Sequence, residues 1–310
     1  MLAVVGDLVE DIVVWPSGAL RRGTDNQAEI YRTRGGSAAN VAAFAAGLHP
    51  TRFIGCVGDD ATGENLGRVL SESGVDVRVQ RRGTTGTIVI LIEPDGERTM
   101  LPNRGAATKL ERVADAWLDG VELLHIPAYS FDGDPVRQSV EAMIDVVRGR
   151  GGLISVDASS TQVIETFGVQ RFRDYLERIA PDFLIANGDE AELLGFGSAD
   201  ATAENLRRNP STTFVLKAGA QPTRVLSAHA EPLTVDVPPV TVIRDSTGAG
   251  DAFAAGFLTT YLTSRDLVAS CRGGHRSAQA VLGSPGATTP IPVVGASTPG
   301  APAPSARTKQ

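Results

Sequence analysis

Four apolar runs recur through the middle of the chain at near-even spacing, and helix-like segments lie between them. The runs are VELLHIP (121–127), LISVDAS (153–159), DFLIAN (182–187) and TFVLKAG (213–219). Between them, DPVRQSVEAMIDVVRGRG (134–151) reads as a helix with proline at its start, residues 169–179 as a second, and GDEAELLGF (188–196) as the start of a third. Strands that are apolar almost throughout must be covered on both faces, and strand–helix alternation supplies those covers. This predicts an α/β fold with a mostly parallel central sheet between two helical layers. LAVVG (2–6) and TRFIGCVG (51–58) read as further strands, and SAANVAAFAAGLH (37–49) and GENLGRVLSESG (63–74) as helices.

Two stretches break the alternation. TGTIVILIEPDGERTML (85–101) reads as two strands joined at a Pro-Asp-Gly turn, and residues 11–34 mix strand-like pieces with turn formers. The regions about 12–34 and 85–104 are expected to form a small separate sheet beside the main one. Residues 1–290 are then one domain. Residues 291–310, rich in Pro, Ala, Gly and Ser, are expected to be a disordered tail.

The bulk properties exclude several classes of function. A net charge of -7 argues against a nucleic-acid grip, which needs a local surplus of Lys and Arg. Two cysteines, Cys56 and Cys271, provide neither a disulfide framework nor a metal-ligand cluster. No basic leader precedes LAVVGD and no apolar run reaches membrane-spanning length, so a cytoplasmic protein with no membrane partner is expected.

The stretch RDSTGAGDAF (244–253) carries the chemistry. VTVI (240–243) before it reads as a strand and AFAAGFLTTYL (252–262) after it as a helix, which sets Gly248-Ala249-Gly250 at a strand-to-helix junction. Helix N-termini present unpaired N–H groups and favour anions, and glycine lets the main chain come close to them. Asp251 falls in the first turn, where a carboxylate beside an anion makes sense as a base that takes a proton from an attacking hydroxyl. Residues alone leave three readings: a capped structural turn, a dinucleotide fingerprint, or a phosphoryl-transfer site. The fingerprint fits poorly because Phe253 stands where Gly or Ala is wanted. No P-loop is present to do the work: the nearest stretch, GDDATGE (58–64), ends in Glu where Lys is needed.

DSTGAGDAFAAGFL (245–258) resembles the C-terminal signature of the PfkB, or ribokinase-like, carbohydrate kinases, and GGSAANVAAFAAGL (35–48) resembles their N-terminal one. NGDE (187–190), GDLVED (6–11), VGDDATG (57–63) and DGERTMLPNRGA (95–106) fit further family elements in the same order, over about residues 2–290. The resemblance implies a ribokinase-like three-layer α/β/α sandwich with a small β-sheet lid. It implies ATP-dependent phosphorylation of a hydroxyl on a small sugar or sugar-like molecule. A nucleoside kinase of the same fold is the alternative, and a non-catalytic ligand-binding regulator the reading from another class.

The resemblance also assigns residues. Asp251 becomes the general base, with the N–H groups of Gly248, Ala249 and Gly250 as the anion hole. Asp11, Gly35, Gly36 and Asn40 bind substrate, with Asn40 both donating to and accepting from its hydroxyls. Asn187, Lys217 and Gly219 bind nucleotide, and Glu190 acts on Mg²⁺ through water. Asp245 and Thr247, with SPGATTP (284–290), resemble a site for an activating monovalent cation such as K⁺. Arg98 and Arg104 lie where the lid would close over substrate, and the lid could pair two copies into a homodimer. Each side chain also has a plainer reading: Asp11 as a strand-end residue, Asn40 as a polar helix residue, Glu190 as an exposed helix residue, Lys217 as a solvated strand end.

Overall fold

Successive residues of the main strands face opposite ways, and both sets are apolar. Leu2 and Val4 enter one core while Ala3 and Val5 enter another, and Phe53 and Val57 oppose Ile54 and Cys56 in the same manner. Such strands fit only between two helical layers. The computed structural model describes residues 1–93, 97–240 and 246–282, and the arrangement there is of that kind.

The strands are Leu2–Gly6 (β1), Val9–Pro16 (β2), Ala28–Gly35 (β3), Thr51–Val57 (β4), Asp76–Arg81 (β5), Thr85–Ile92 (β6), Arg98–Gly105 (β7), Leu123–Pro127 (β8), Leu153–Asp157 (β9), Phe183–Ala186 (β10), Thr213–Ala218 (β11), Gln221–Ser227 (β12) and Ala230–Val235 (β13). Nine form the larger sheet, ordered β13-β12-β11-β10-β9-β8-β1-β4-β5. It is parallel from β11 to β5, and β12 and β13 extend it as an antiparallel hairpin. Ser37–Ala46 (α1), Ala61–Glu72 (α2), Ala249–Ser264 (α8) and Leu267–Leu282 (α9) cover one face, together with Phe183, Ile185 and Val215 of the sheet. Val136–Gly149 (α3), Thr161–Phe167 (α4), Val169–Ile179 (α5), Gly188–Ala191 (α6) and Ala199–Arg208 (α7) cover the other.

The smaller sheet has the order β3-β2-β6-β7, with β2 and β6 parallel at its centre. It leaves the main sheet at Gly6, the carboxyl end of β1, and returns at Gly35 directly into α1. β1 is also where the strand order reverses, since β4 lies on one side of it and β8 on the other. Open α/β sheets bind ligands at the carboxyl ends of their strands beside such a reversal. The smaller sheet therefore stands beside the place where a ligand is expected.

Several details depart from the sequence reading. The helix begun at Gly188 is a single α-turn, continued by a π-turn over Glu192–Phe196 in which Gly195 takes a φ of 94°. Strand β5 and the β12–β13 hairpin had no clear signal. The Pro-Asp-Gly turn at 94–96, residues 241–245 of the expected VTVI strand and its end, SPGATTP and the tail lie outside the described residues.

Candidate functional site

Gly248 adopts the left-handed conformation, with a φ of 76°, and is the N-cap of α8; Ala249, Gly250 and Asp251 open the helix. A side chain at that φ would be strained, so the glycine sets the angle at which the chain enters the helix. Helix α8 is apolar on nearly every side and runs through the interior, with Phe253, Ala254, Phe257 and Leu258 buried. Its first turn is thereby held rigidly against the start of α1. The Asp251 carboxylate accepts from Ser37 Oγ at 2.7 Å and from Asn40 Nδ2 at 2.9 Å. Burial pushes its pKa up to about 7; these two hydrogen bonds oppose the rise, and the Asp157 and Asp7 carboxylates add to it. A carboxylate poised near neutrality can both hold and release a proton at physiological pH. The Ala249 N–H is directed to Ser246 O at 3.2 Å, a long bond that closes the turn.

Where β3 meets α1, Gly35 and Gly36 permit a close crossing. A Cβ on Gly35 would lie 2.1 Å from Asp11 Oδ1, and one on Gly36, at a φ of 99°, would lie 2.4 Å from the Asp7 carbonyl oxygen. Asp7 takes over the capping of α1: its side chain accepts from the Ala38 N–H and its carbonyl from the Ala39 N–H, both at 3.2 Å. Asp11 Oδ1 is buried and has no hydrogen-bond partner among the described residues. A buried acceptor in that condition calls for an explanation. Burial, with Asp7 and Glu10 adding and Arg34 opposing, pushes the Asp11 pKa up to about 7. Asn40 is engaged within the protein: its carbonyl end accepts from Arg34 Nη1 at 3.0 Å and its amino end donates to Asp251 at 2.9 Å. Arg104 lies with Nη1 4.0 Å from Asp7 Oδ2 and its guanidinium 4.0 Å from the centre of the Tyr129 ring. Arg98 is opposite Ile92 at the far end of the β6–β7 hairpin, six residues along the strand and about 20 Å away. The two arginines do not form one cluster.

On the opposite side, Asn187 ends β10 and caps α6. Its side chain accepts from the Glu190 N–H, while the Asn187 backbone N–H and Nδ2 donate to the two Glu190 carboxylate oxygens at 2.8 and 2.7 Å. Glu190 is only 3% exposed, so it is not an ordinary surface helix residue. Burial and the nearby Asp157 charge push its pKa up to about 7, against the Asn187 N–H and Lys217. Lys217 Nζ lies 3.3 Å from Asp157 Oδ2 and is paired rather than solvated. A Cβ on Gly250 would come within 3.5 Å of that ammonium, which places Lys217 beside the glycine turn. Gly219, at a φ of 59°, forms the turn between β11 and β12 and has open space beside it. Thr247 precedes the N-cap, whereas Asp245 lies outside the described residues.

The structure thus brings Asp11, Gly35, Gly36, Asn40 and Asp251 together on one side and Asn187, Glu190 and Lys217 on the other, with the glycine turn between. Four contributors escaped the sequence reading: Asp7, Arg34, Ser37 and Asp157. Asp157 had a usable signal, since it is the single carboxylate of a central strand and stands at its carboxyl end.

Solved structures share the architecture. The adenosine kinase from Sinorhizobium meliloti superimposes with a TM-score of 0.81 at 21% identity, over 93% of this chain and 95% of that one. The fold is ribokinase-like: a three-layer α/β/α sandwich with a smaller β-sheet. The pfkB family carbohydrate kinase profile matches residues 1–294, and the chain belongs to that family. Among curated relatives, the ATP-dependent ribose-1-phosphate kinase of Halopiger xanaduensis is 32% identical, over 78% of this chain and 79% of its own length. The fructokinase of Klebsiella pneumoniae is 29% identical, over 82% of each. The protein is a kinase for a sugar-like hydroxyl compound.

Proposed function

We propose that Asp251 deprotonates a hydroxyl of a small neutral sugar as that hydroxyl attacks the γ-phosphorus of ATP. The observation that carries this is the half-buried Asp251 carboxylate in the first turn of α8, beyond a left-handed Gly248 and gripped by two donors from α1. In this reading the substrate lies between Asp11 and Asp251. Asp11 Oδ1 accepts one of its hydroxyls, and the glycine pair lets the sugar rest against backbone. Ser37 and Asn40 hold Asp251 in one orientation, so that it faces the reacting hydroxyl without reorganisation. The proton passes from the hydroxyl to Asp251 as the oxygen–phosphorus bond forms, and the bond to the leaving ADP breaks in line.

The Gly248 and Gly250 N–H groups are assigned to the phosphoryl oxygens, the Ala249 N–H being held by Ser246 in the turn, and Lys217 adds a point charge beside them. Asn187, Lys217 and Gly219 line the nucleotide side. Asp157 and Glu190 fit a Mg²⁺ site: two largely buried carboxylates share one lysine, and Mg²⁺ keeps its waters and takes few direct protein ligands. Mg²⁺, when bound with ATP, offsets phosphate charge. Thr247, with Asp245 and residues 284–290, is proposed as the place for a monovalent cation.

The smaller sheet acts as a lid that excludes water from the reacting phosphoryl group. Trp15, Ile30, Tyr31, Met100 and Leu101 are exposed on it, which suits pairing of two lids in a homodimer. A cytoplasmic location suits a consumer of ATP, and no described helix is long and apolar enough to cross a membrane.

A neutral sugar is favoured over a phosphorylated one because Arg104 lies beside Asp7 and Tyr129 and Arg98 is remote. A thermal-shift and ADP-release screen with D-fructose, D-ribose, ribose 1-phosphate and adenosine tests the assignment. Turnover on a free sugar is expected. Turnover confined to ribose 1-phosphate or adenosine would overturn it.

A further inference from the structure

Arg34 has no role in the phosphoryl transfer described above, yet it sits at the centre of the substrate side. It is the penultimate residue of β3 and is 4% exposed. Its Nη1 donates to Asn40 Oδ1 at 3.0 Å, and Asn40 Nδ2 donates onward to Asp251 Oδ2 at 2.9 Å. A primary amide has one accepting end and one donating end, and a guanidinium can only donate. Arg34 therefore claims the carbonyl of Asn40 and turns its amino group to Asp251. The reversed amide would set N–H against guanidinium and carbonyl against carboxylate, both repulsive.

We propose that Arg34 is a positioning residue. It locks the Asn40 amide toward Asp251, so that a donor rather than an acceptor faces the carboxylate. This rests on Asp251 being the base.

The charge inventory around Asp251 shows why one cation there matters. Asp7 faces it from the segment after β1 and Asp157 from β9, and both raise its pKa. Tyr129 approaches from the segment after β8, and Arg34 interacts electrostatically with both Asp251 and Asp11. Arg104 is drawn to Asp7, and Lys217, beside Gly250, is drawn to Asp157. Among the described residues, Arg34 is thus the cation that reaches Asp251 through a chain of hydrogen bonds by way of Asn40. Burial pushes its own pKa down to about 10, opposed by Asp251 and Asp11, so it remains charged throughout the working range.

The test is a carbon-13 NMR titration of the full chain labelled at aspartate Cγ, with the Asp251 resonance assigned by Asp251→Asn. In Arg34→Met the Asp251 midpoint should rise by up to about one unit, because the freed Asn40 amide no longer holds its donor on the carboxylate. Arg34→Lys should recover at least half of that shift. Kinetics on a turned-over sugar should show kcat falling more than KM rises. Adding Asn40→Ala to Arg34→Met should cost little more, because the two act as one unit. An unchanged midpoint in folded Arg34→Met overturns the proposal, as does Arg34→Lys behaving like Arg34→Met. If Arg34→Met does not fold, Arg34→Gln takes its place, and its midpoint should lie above that of Arg34→Lys; equal midpoints overturn the proposal. The titration needs no substrate, so the expected shifts in a protein without turnover on any sugar would refute the kinase mechanism alone.

Discussion

Replacing Asp251 by Asn should make the protein more stable at pH 8 while removing its proposed base. Burial raises the carboxyl pKa from an ordinary 3.8 to about 7, so the ionised form is disfavoured in the folded state. For a raised carboxyl the sign is fixed: between those two values the folded chain holds a proton that the unfolded chain has released. Stability therefore falls as pH rises through that window and levels off above about pH 7. The full penalty is about three pH units' worth, or roughly 4 kcal/mol. Asn escapes it, but presents an amino group to one of the two donors, Ser37 or Asn40, at a cost of about 1–2 kcal/mol. The net gain at pH 8 is about 2–3 kcal/mol, which raises Tm by roughly 4 °C or more in a chain of this size. At pH 5 only about 2 kcal/mol of the penalty remains, so the gain should vanish. Differential scanning calorimetry of both proteins at pH 5 and pH 8 reads this directly. An Asn variant less stable than the wild type at pH 8, or an offset that does not change with pH, would refute the reasoning.

Three further outcomes follow from the same geometry. Gly36→Ala should lower stability by about 2 kcal/mol or more and abolish turnover, because the new Cβ meets the Asp7 carbonyl oxygen at a positive φ; chemical denaturation and ADP release check it. Ser37→Ala removes a donor that holds the Asp251 pKa down, so the acid limb of the kcat/KM profile should move up by as much as about one unit. Lys217→Met should raise KM for ATP about tenfold with a smaller effect on sugar KM, and equal effects on both would place Lys217 away from the nucleotide.

Much of the main sheet was legible because its strands are apolar on both faces: LAVVG, TRFIGCV and LISVD could be read without their surroundings. Strand β5, DVRVQR, alternates with charged residues at a sheet edge and gave no such signal. The β12–β13 hairpin was hidden for the same reason, since half of its residues face solvent. In the site, the glycine turn and Asp251 were legible because a strand-to-helix junction with small residues restricts what can happen there. Ser37 and Arg34 were not, because what gives them meaning is contact across the fold. Ser37 reaches Asp251 over 214 residues, and Arg34 reaches Asn40 only once the glycine pair has turned the chain. Asn40 was read as a direct partner of substrate hydroxyls, a role that a sequence cannot distinguish from holding the base.

The central claim is that Asp251 takes the proton from the attacking hydroxyl. The most direct measurement is single-turnover transfer from γ-labelled ATP to the turned-over sugar, comparing the wild type with Asp251→Asn under saturating substrates. The Asn variant should bind both substrates with nearly unchanged affinity and transfer the phosphoryl group about 10²–10⁴-fold more slowly. Transfer at close to the wild-type rate would contradict the account.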